Sequence, residues 1–254
     1  MSQLQILEGC EEFALGEGPV GALLVHGYTG SPQGMRGLGE FLSSKGINCV
    51  GPRLPGHGTT WQDLNVRTQQ EWRECVESNF DALKGRCEEV FIVSLSFGSA
   101  LCLELAAKRP DEVAGLVSLA GIVFTKDPRR HLTPVIRRVI KSLPGVGNDI
   151  ADPEMKELAY DRLPTTSTQH MLRQLNDTRA VLPQVTCPIL VMHGRGDHTV
   201  HPDNAQYIYD NVGSTDKQLI YLERSYHVIT LDLERDAVFE ATYNFIKERA
   251  KHAV

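Results

Sequence analysis

Ser94-Leu95-Ser96-Phe97-Gly98 follows a β-branched run, Val90 to Val93, and precedes residues of helical period. A serine at such a strand-to-helix turn projects its hydroxyl beyond the end of a sheet. So sharp a turn needs small residues two before and two after it, because the strand and helix backbones come too close for larger side chains. Gly98 fills the second position and Ser94 the first, which makes Ser96 the candidate nucleophile. Ser94 as nucleophile would require glycine at Ile92 and at Ser96, so that register fails. The pentapeptide alone is equally compatible with a serine that merely caps the helix N-terminus.

The residues downstream separate these readings. A run from Ile189 to His193 leads into Gly194-Arg195-Gly196-Asp197, a tight loop carrying a carboxylate, and Gln218 to Leu222 leads into Glu223-Arg224-Ser225-Tyr226-His227. Serine, acid and histidine thus occur in the order that a strand-turn-helix hydrolase requires, each beyond a strand's C-terminal end, where catalytic groups of open α/β sheets gather. A serine hydroxyl attacks poorly until an imidazole takes its proton, and a carboxylate fixes that imidazole's tautomer and stabilises its charged form. Asp197 is the candidate acid and His227 the candidate base. An oxyanion hole needs backbone N–H groups aimed at the developing charge. The Phe97 amide offers one, and the Tyr28 amide, in the glycine-flanked His26-Gly27-Tyr28-Thr29-Gly30, offers the second.

Three other assignments compete. His193, Asp197, His198 and His201 crowd one segment and would suit a metal hydrolase, but the segment lacks H-E-x-x-H and follows a strand, without the one-face spacing of a helix. Asp127, after the run Val113 to Leu119, is a rival acid. His57, between two glycines, reads as a turn residue.

Positioning these groups requires alternating strands and helices. Val20 to His26, Ile47 to Val50, Glu89 to Ser94, Val113 to Leu119, Ile189 to His193 and Gln218 to Leu222 read as strands. Met35 to Ser44, Gln70 to Lys84, Ser99 to Arg109 and Glu234 to Lys251 read as helices. The pattern predicts a mostly parallel sheet flanked by helices. Prolines 128, 134, 144, 153 and 164 break the rhythm between them. The expected division is therefore a core over 1–120, a helical cap insertion over 121–186, and the rest of the core over 187–254. Within the insertion Val135, Ile136, Val139, Ile140 and Leu143 form an apolar face beside Arg137, Arg138 and Lys141, the pattern of a lid or of a helix in transient contact with a lipid surface.

With 26 basic against 32 acidic residues in 254, and no basic run, the chain lacks the footprint of a nucleic-acid binder. No apolar stretch is long enough to span a bilayer and the first residues do not read as a signal peptide, so a cytoplasmic protein is expected. Six scattered cysteines include no C-x-x-C and read as buried thiols.

Through His26-Gly27-Tyr28-Thr29-Gly30, Pro55-Gly56-His57-Gly58, the turn at Ser96, the loop ending at Asp197 and Ser225-Tyr226-His227-Val228-Ile229-Thr230-Leu231-Asp232, nearly the whole chain resembles the α/β-hydrolase superfamily, specifically its bacterial carboxylesterase and monoacylglycerol lipase family. That resemblance implies an eight-stranded, mostly parallel sheet with a small cap, and the same triad of Ser96, Asp197 and His227. It also implies hydrolysis of single-chain lipid esters with no cofactor or metal. Ser94 and Ser99 depart from the family's usual glycines. Lys156-Glu157-Leu158-Ala159-Tyr160 resembles the monoacylglycerol lipase branch, which implies that Glu157 faces the glycerol head of a substrate. A cap of this size is expected to close a narrow acyl tunnel walled by Val135, Ile136, Val139 and Ile140. A generic short-chain carboxylesterase, an acyl thioesterase and a non-catalytic binding protein of the same fold remain as other readings, since fold alone does not select a substrate.

Overall fold

The computed structural model describes residues 4–128, 137–145 and 147–253. Its central sheet has seven strands: β1 (Phe13–Leu15), β2 (Val20–Val25), β3 (Asn48–Gly51), β4 (Glu89–Leu95), β5 (Val113–Leu119), β8 (Ile189–Gly194) and β9 (Lys217–Leu222), in the order β1-β3-β2-β4-β5-β8-β9. All neighbours are parallel except β1, which runs antiparallel to β3. Every strand read from the sequence is present. The sheet of the described residues has seven strands rather than the eight that the resemblance implied.

β1 escaped the sequence reading because three residues are too short for a period. It is anchored by the Phe13 ring, which fills the space left by two glycines: a Cβ on Gly51 would come within 2.2 Å of that ring, and one on Gly39 within 2.7 Å. The inner strands are covered on both faces, so β2 and β8 are buried throughout and read as continuous apolar runs. At the other edge β9 alternates between more and less exposed residues, which is the period of a half-buried strand.

Helices α1 (Gln33–Ser44) and α7 (Arg235–Arg249) cover one face, around a core that includes Leu38, Leu42, Phe91 and Phe245. Helices α3 (Gln69–Lys84), α4 (Phe97–Lys108), α5 (Thr165–Val181) and α6 (Asp203–Asn211) cover the other, around Trp72, Phe80, Phe97 and Ile208. The start of α3 is set by a capping box, in which Thr68 accepts from the Glu71 amide and Glu71 accepts from the Thr68 amide. Short α2 (Trp61–Asn65) is capped by Thr60.

Between β5 and β8 the chain forms a two-stranded antiparallel hairpin, β6 (Ser142–Pro144) with β7 (Arg162–Pro164), then α5 and a 3-10 turn at Leu182–Gln184. The expected apolar helical face is not found where it can be followed: Arg137 to Val139 form a turn and Leu143 lies in β6, pairing with Leu163. Val135 and Ile136 lie outside the described residues. Helix α5 is tied to α4 by buried polar contacts. Thr178 Oγ1 donates to Ala100 O at 2.8 Å, Gln174 donates to Glu104, and Arg73 of α3 donates to Gln174 at 2.8 Å.

Candidate active site

Strand β4 ends at Leu95 and α4 begins at Phe97, so Ser96 alone makes the turn, with φ 53° and ψ −119°. A non-glycine residue in that region is strained, and the surroundings hold it there. The Ser96 amide donates to Leu119 O at 2.8 Å, and its carbonyl accepts from the Ser99 amide at 3.0 Å. Gly98 is required, since a Cβ there would come within 2.5 Å of Val25 O and 2.6 Å of His26 O, both backbone atoms. Ser94 and Ser99 fit because their hydroxyls find partners. Ser94 Oγ lies 3.1 Å from Ser99 Oγ and 3.2 Å from Val117 O, and Ser99 Oγ donates to Ser94 O at 3.2 Å.

The helix-cap reading of Ser96 fails on geometry, because its side chain makes no capping hydrogen bond. Its Oγ instead lies 2.9 Å from His227 Nε2, and His227 Nδ1 lies 2.8 Å from Asp197 Oδ2. The three side chains read from the sequence therefore converge in one hydrogen-bonded line. Asp127 lies on the wall of the adjoining cavity and not against His227 Nδ1, which Asp197 occupies.

The Asp197 carboxylate is saturated with donors. Oδ1 accepts the amides of Thr199 at 2.9 Å and Val200 at 2.7 Å, while Oδ2 faces His227 and lies 2.9 Å from His193 Nε2. Burial by itself would raise the carboxyl, but the His227 charge and the hydrogen bonds from His193 and His227 outweigh it and hold Asp197 well below the usual carboxylate range. Burial would likewise depress His227. The charge and hydrogen bond of Asp197, with the Glu157 and Asp149 charges behind it, outweigh that and leave the imidazole above its ordinary value.

The sequence placed His193 only in a possible metal cluster. It is instead a buried support of Asp197: Nε2–H also donates to Val200 O at 3.0 Å, while Nδ1 has no partner among the described residues. His198 turns away to Asp149, and His201 to Lys126 and Asp203. The four residues thus do not converge on one point, and no group of three metal-ligating side chains occurs among the described residues.

The Tyr28 and Phe97 amides, expected as oxyanion donors, donate to no described residue. Gly27 lets the Tyr28 loop close on Ser96, since a Cβ there would lie 3.1 Å from Ser96 Cβ. The Tyr28 hydroxyl bonds Ser167 Oγ at 2.7 Å and Thr168 Oγ1 at 3.1 Å, fixing the loop to the start of α5. Behind it, His26 Nδ1–H donates to Gly27 O at 2.9 Å and Nε2 accepts the Leu54 amide at 3.1 Å, while the His57 ring stands 5.0 Å from that of His26. His57 behaves as the expected turn residue, with Nδ1–H pointing at Pro55 O, 3.2 Å away.

A cavity of about 610 Å³ opens on Ser96 and His227. Ile122, Phe124, Leu143, Leu163, Met171 and Leu172 give it apolar walls, and Asn148, Asp149 and Glu157 a polar side. Val139 and Ile140, expected as wall residues, are 83% and 44% exposed and do not line the cavity, whereas Leu143 and Pro144 of β6 do. Glu157 Oε1 sits so close to Gly30 that a Cβ there would come within 2.6 Å of it, and no described residue donates to its carboxylate. Withdrawal from bulk water raises the Glu157 carboxyl above its ordinary value, with His227 opposing.

Against known proteins, residues 21–234 match the family described as serine aminopeptidase, S33. The chain is 38% identical over 251 residues to the thermostable monoacylglycerol lipase of Bacillus sp. (strain H-257), covering 99% of this chain and 98% of that protein. It is 30% identical over 239 residues to the carboxylesterase of Bacillus subtilis (strain 168), covering 93% and 96%. Among solved structures, one from the work on LipS and LipT, two metagenome-derived lipolytic enzymes, superposes with a TM-score of 0.93 at 35% identity over 96% of this chain and all of that one. The monoacylglycerol lipase of Paleococcus ferrophilus, 18% identical, shares the fold with a TM-score of 0.80 over 94% of this chain and 98% of that one.

Proposed function

Because the chain belongs to the serine aminopeptidase, S33 family of α/β hydrolases, whose relatives here are lipases and esterases, we propose that it is a serine hydrolase of single-chain lipid esters, monoacylglycerols above all. The observation that carries this reading is the hydrogen-bonded line Ser96–His227–Asp197 opening onto an apolar cavity with the Glu157 carboxylate on its polar side.

In this reading His227 Nε2 takes the Ser96 hydroxyl proton as Oγ attacks the ester carbonyl, and Asp197 stabilises the resulting imidazolium. The oxyanion is received by the Tyr28 and Phe97 amides. Collapse breaks the bond to the leaving alkoxide, which takes the proton from His227 and departs as the alcohol, leaving an acyl-enzyme on Ser96. Water then attacks, giving its proton to His227, and the second collapse returns that proton to Oγ and releases the fatty acid. No cofactor enters these steps. The acyl chain occupies the wall formed by Leu143, Leu163, Met171 and Leu172, and residues 121–186 act as the cap over it. Glu157 accepts hydrogen bonds from free glycerol hydroxyls, which triacylglycerol lacks.

Ser96→Ala and His227→Ala are expected to remove nearly all ester hydrolysis, on the order of 10⁴-fold or more, and a serine-directed phosphonate to label Ser96 alone. Labelling of Ser94, or activity surviving in Ser96→Ala, would sink the triad. Glu157→Ala should lower kcat/KM for a monoacylglycerol roughly tenfold or more, since a hydrogen bond to a charged group is worth about 1.5 to 3 kcal/mol, while sparing a simple alkyl ester of the same acid. Equal losses on both would return the protein to the generic carboxylesterase reading.

A further inference from the structure

The segment from Asn148 to Tyr160 bonds the loops that carry Asp197, His227 and Tyr28. At one end Asp149 holds two of them. Its backbone carbonyl accepts the amides of His227 at 3.0 Å and Val228 at 3.2 Å. Its carboxylate holds the loop after Asp197: Oδ2 accepts the His198 amide and the Thr199 hydroxyl, each at 2.9 Å, and Oδ1 lies 2.9 Å from His198 Nδ1. At the other end the Tyr160 amide donates to Thr29 O at 3.0 Å, next to the oxyanion loop. Asn148 braces the segment, since it turns through φ 57° and its Oδ1 accepts the Glu157 amide at 2.9 Å.

We propose that Asp149 is a positioning residue for the hydrolysis, registering the acid loop and the base loop against each other from the segment that covers the site. The geometry argues for it directly. Asp197 and His227 stand on loops after different strands, and their 2.8 Å contact depends on the relative placement of those loops. Asp149 bonds both loops: its carboxylate holds His198 and Thr199, immediately after Asp197, and its carbonyl holds His227 itself and Val228. Its side chain is 8% exposed. The same segment carries Glu157, so the group that faces the cavity and the group that sets the triad belong to one braced unit. The charges facing His227 are Asp197 from the loop after β8, and Glu157 and Asp149 from this segment.

The proposal rests on the triad reading, and its test separates the two. Asp149→Ala and Asp149→Asn are compared with the unaltered protein on 4-nitrophenyl butyrate across pH, with Ser96→Ala in parallel. Asp149→Ala deletes the side-chain clamp. It should lower kcat roughly 10- to 100-fold, the scale of a small misplacement of reacting groups, with KM within about twofold and slower phosphonate labelling of Ser96. Asp149→Asn keeps an acceptor for His198 and Thr199 and removes the charge. It should hold kcat on the pH plateau within about threefold while moving the acid limb of kcat/KM to lower pH, because one anion favouring the imidazolium is gone. Should Asp149→Ala not fold, Asp149→Asn and Thr199→Val carry the test: the first should move the acid limb, the second should lower kcat. An unmoved limb with unchanged kcat in both overturns the proposal, as does an Asp149→Ala loss expressed in KM alone. Activity surviving in Ser96→Ala removes the triad itself, whereas a dead Ser96→Ala beside a fully active Asp149→Ala removes only the role of Asp149.

Discussion

Acid should destabilise this protein between about pH 6.5 and 4 through buried imidazoles, of which His26 sets a lower bound on the effect. Burial, opposed by its hydrogen bond to Gly27 O and assisted by Arg53, lowers the His26 pKa to about 4. The structure shows why protonation is resisted: Nε2 accepts the Leu54 amide, and a proton there would set donor against donor. The unfolded chain therefore binds this proton more readily than the folded one. The stabilisation is present above the unfolded value of about 6.5 and is lost as pH falls through the folded value. With 6.5 and 4 as the two values, the loss from pH 7 to pH 4.5 is about 2.4 kcal/mol, approaching about 3.4 kcal/mol below both. His57, also held well below its ordinary value by burial and by its neighbour His26, adds in the same direction. His227 has the opposite sign: its raised folded value contributes stability that is complete below about pH 6.5 and lost at higher pH, so it softens the upper part of the fall. Urea unfolding monitored by tryptophan fluorescence measures the result. With an m-value of about 3 kcal/mol/M, the midpoint should drop by about 0.8 M between pH 7 and pH 4.5. A midpoint that stays level or rises over that interval would refute the reasoning.

The catalytic pH profile should show the complementary sign: because the base works neutral and its imidazole is held up by Asp197, the acid limb of kcat/KM should lie above the ordinary histidine value of about 6.5, and a limb below it would contradict the charge arrangement around His227. His193→Gln keeps a polar side chain of similar volume but moves the donor away from Asp197, so kcat should fall by roughly 3- to 30-fold, the scale of one such hydrogen bond, with KM little changed, as steady-state kinetics on a soluble ester would show; an unchanged kcat would make His193 a packing residue only. Ser94→Gly removes a buried hydroxyl that bonds Ser99 and Val117 but never Ser96. It should cost about 1 to 2 kcal/mol in thermal or urea unfolding and leave kcat within about threefold, and a large activity loss without a stability loss would give that hydroxyl a place in the chemistry.

Much of the site is legible in the sequence because its signals are local. The elbow at Ser96 is written in small residues around one serine, and Gly98 stands where backbone atoms of Val25 and His26 leave no room for a Cβ. The loops at Asp197 and His227 are found by following apolar runs to their ends, and the central strands are apolar throughout because both faces of the sheet are covered. What could not be read is of two kinds. β1 and β6 are three residues each, too short for any period to show, and they form because of what they meet: Phe13 enters the space above two glycines, and Leu143 pairs with Leu163.

The second kind is the support around the triad. By itself the sequence determined the residue types that do chemistry, their order and the strands that carry them, since each follows from neighbours a few positions away. Only the tertiary structure decided what holds them in register. His193 reads as a metal-ligand candidate until its ring is seen against Asp197. Asp149 carries no local signal, because its partners His198 and His227 lie 49 and 78 positions downstream. Contacts of that span depend on where several loops come to rest together, and no spacing along the chain encodes that.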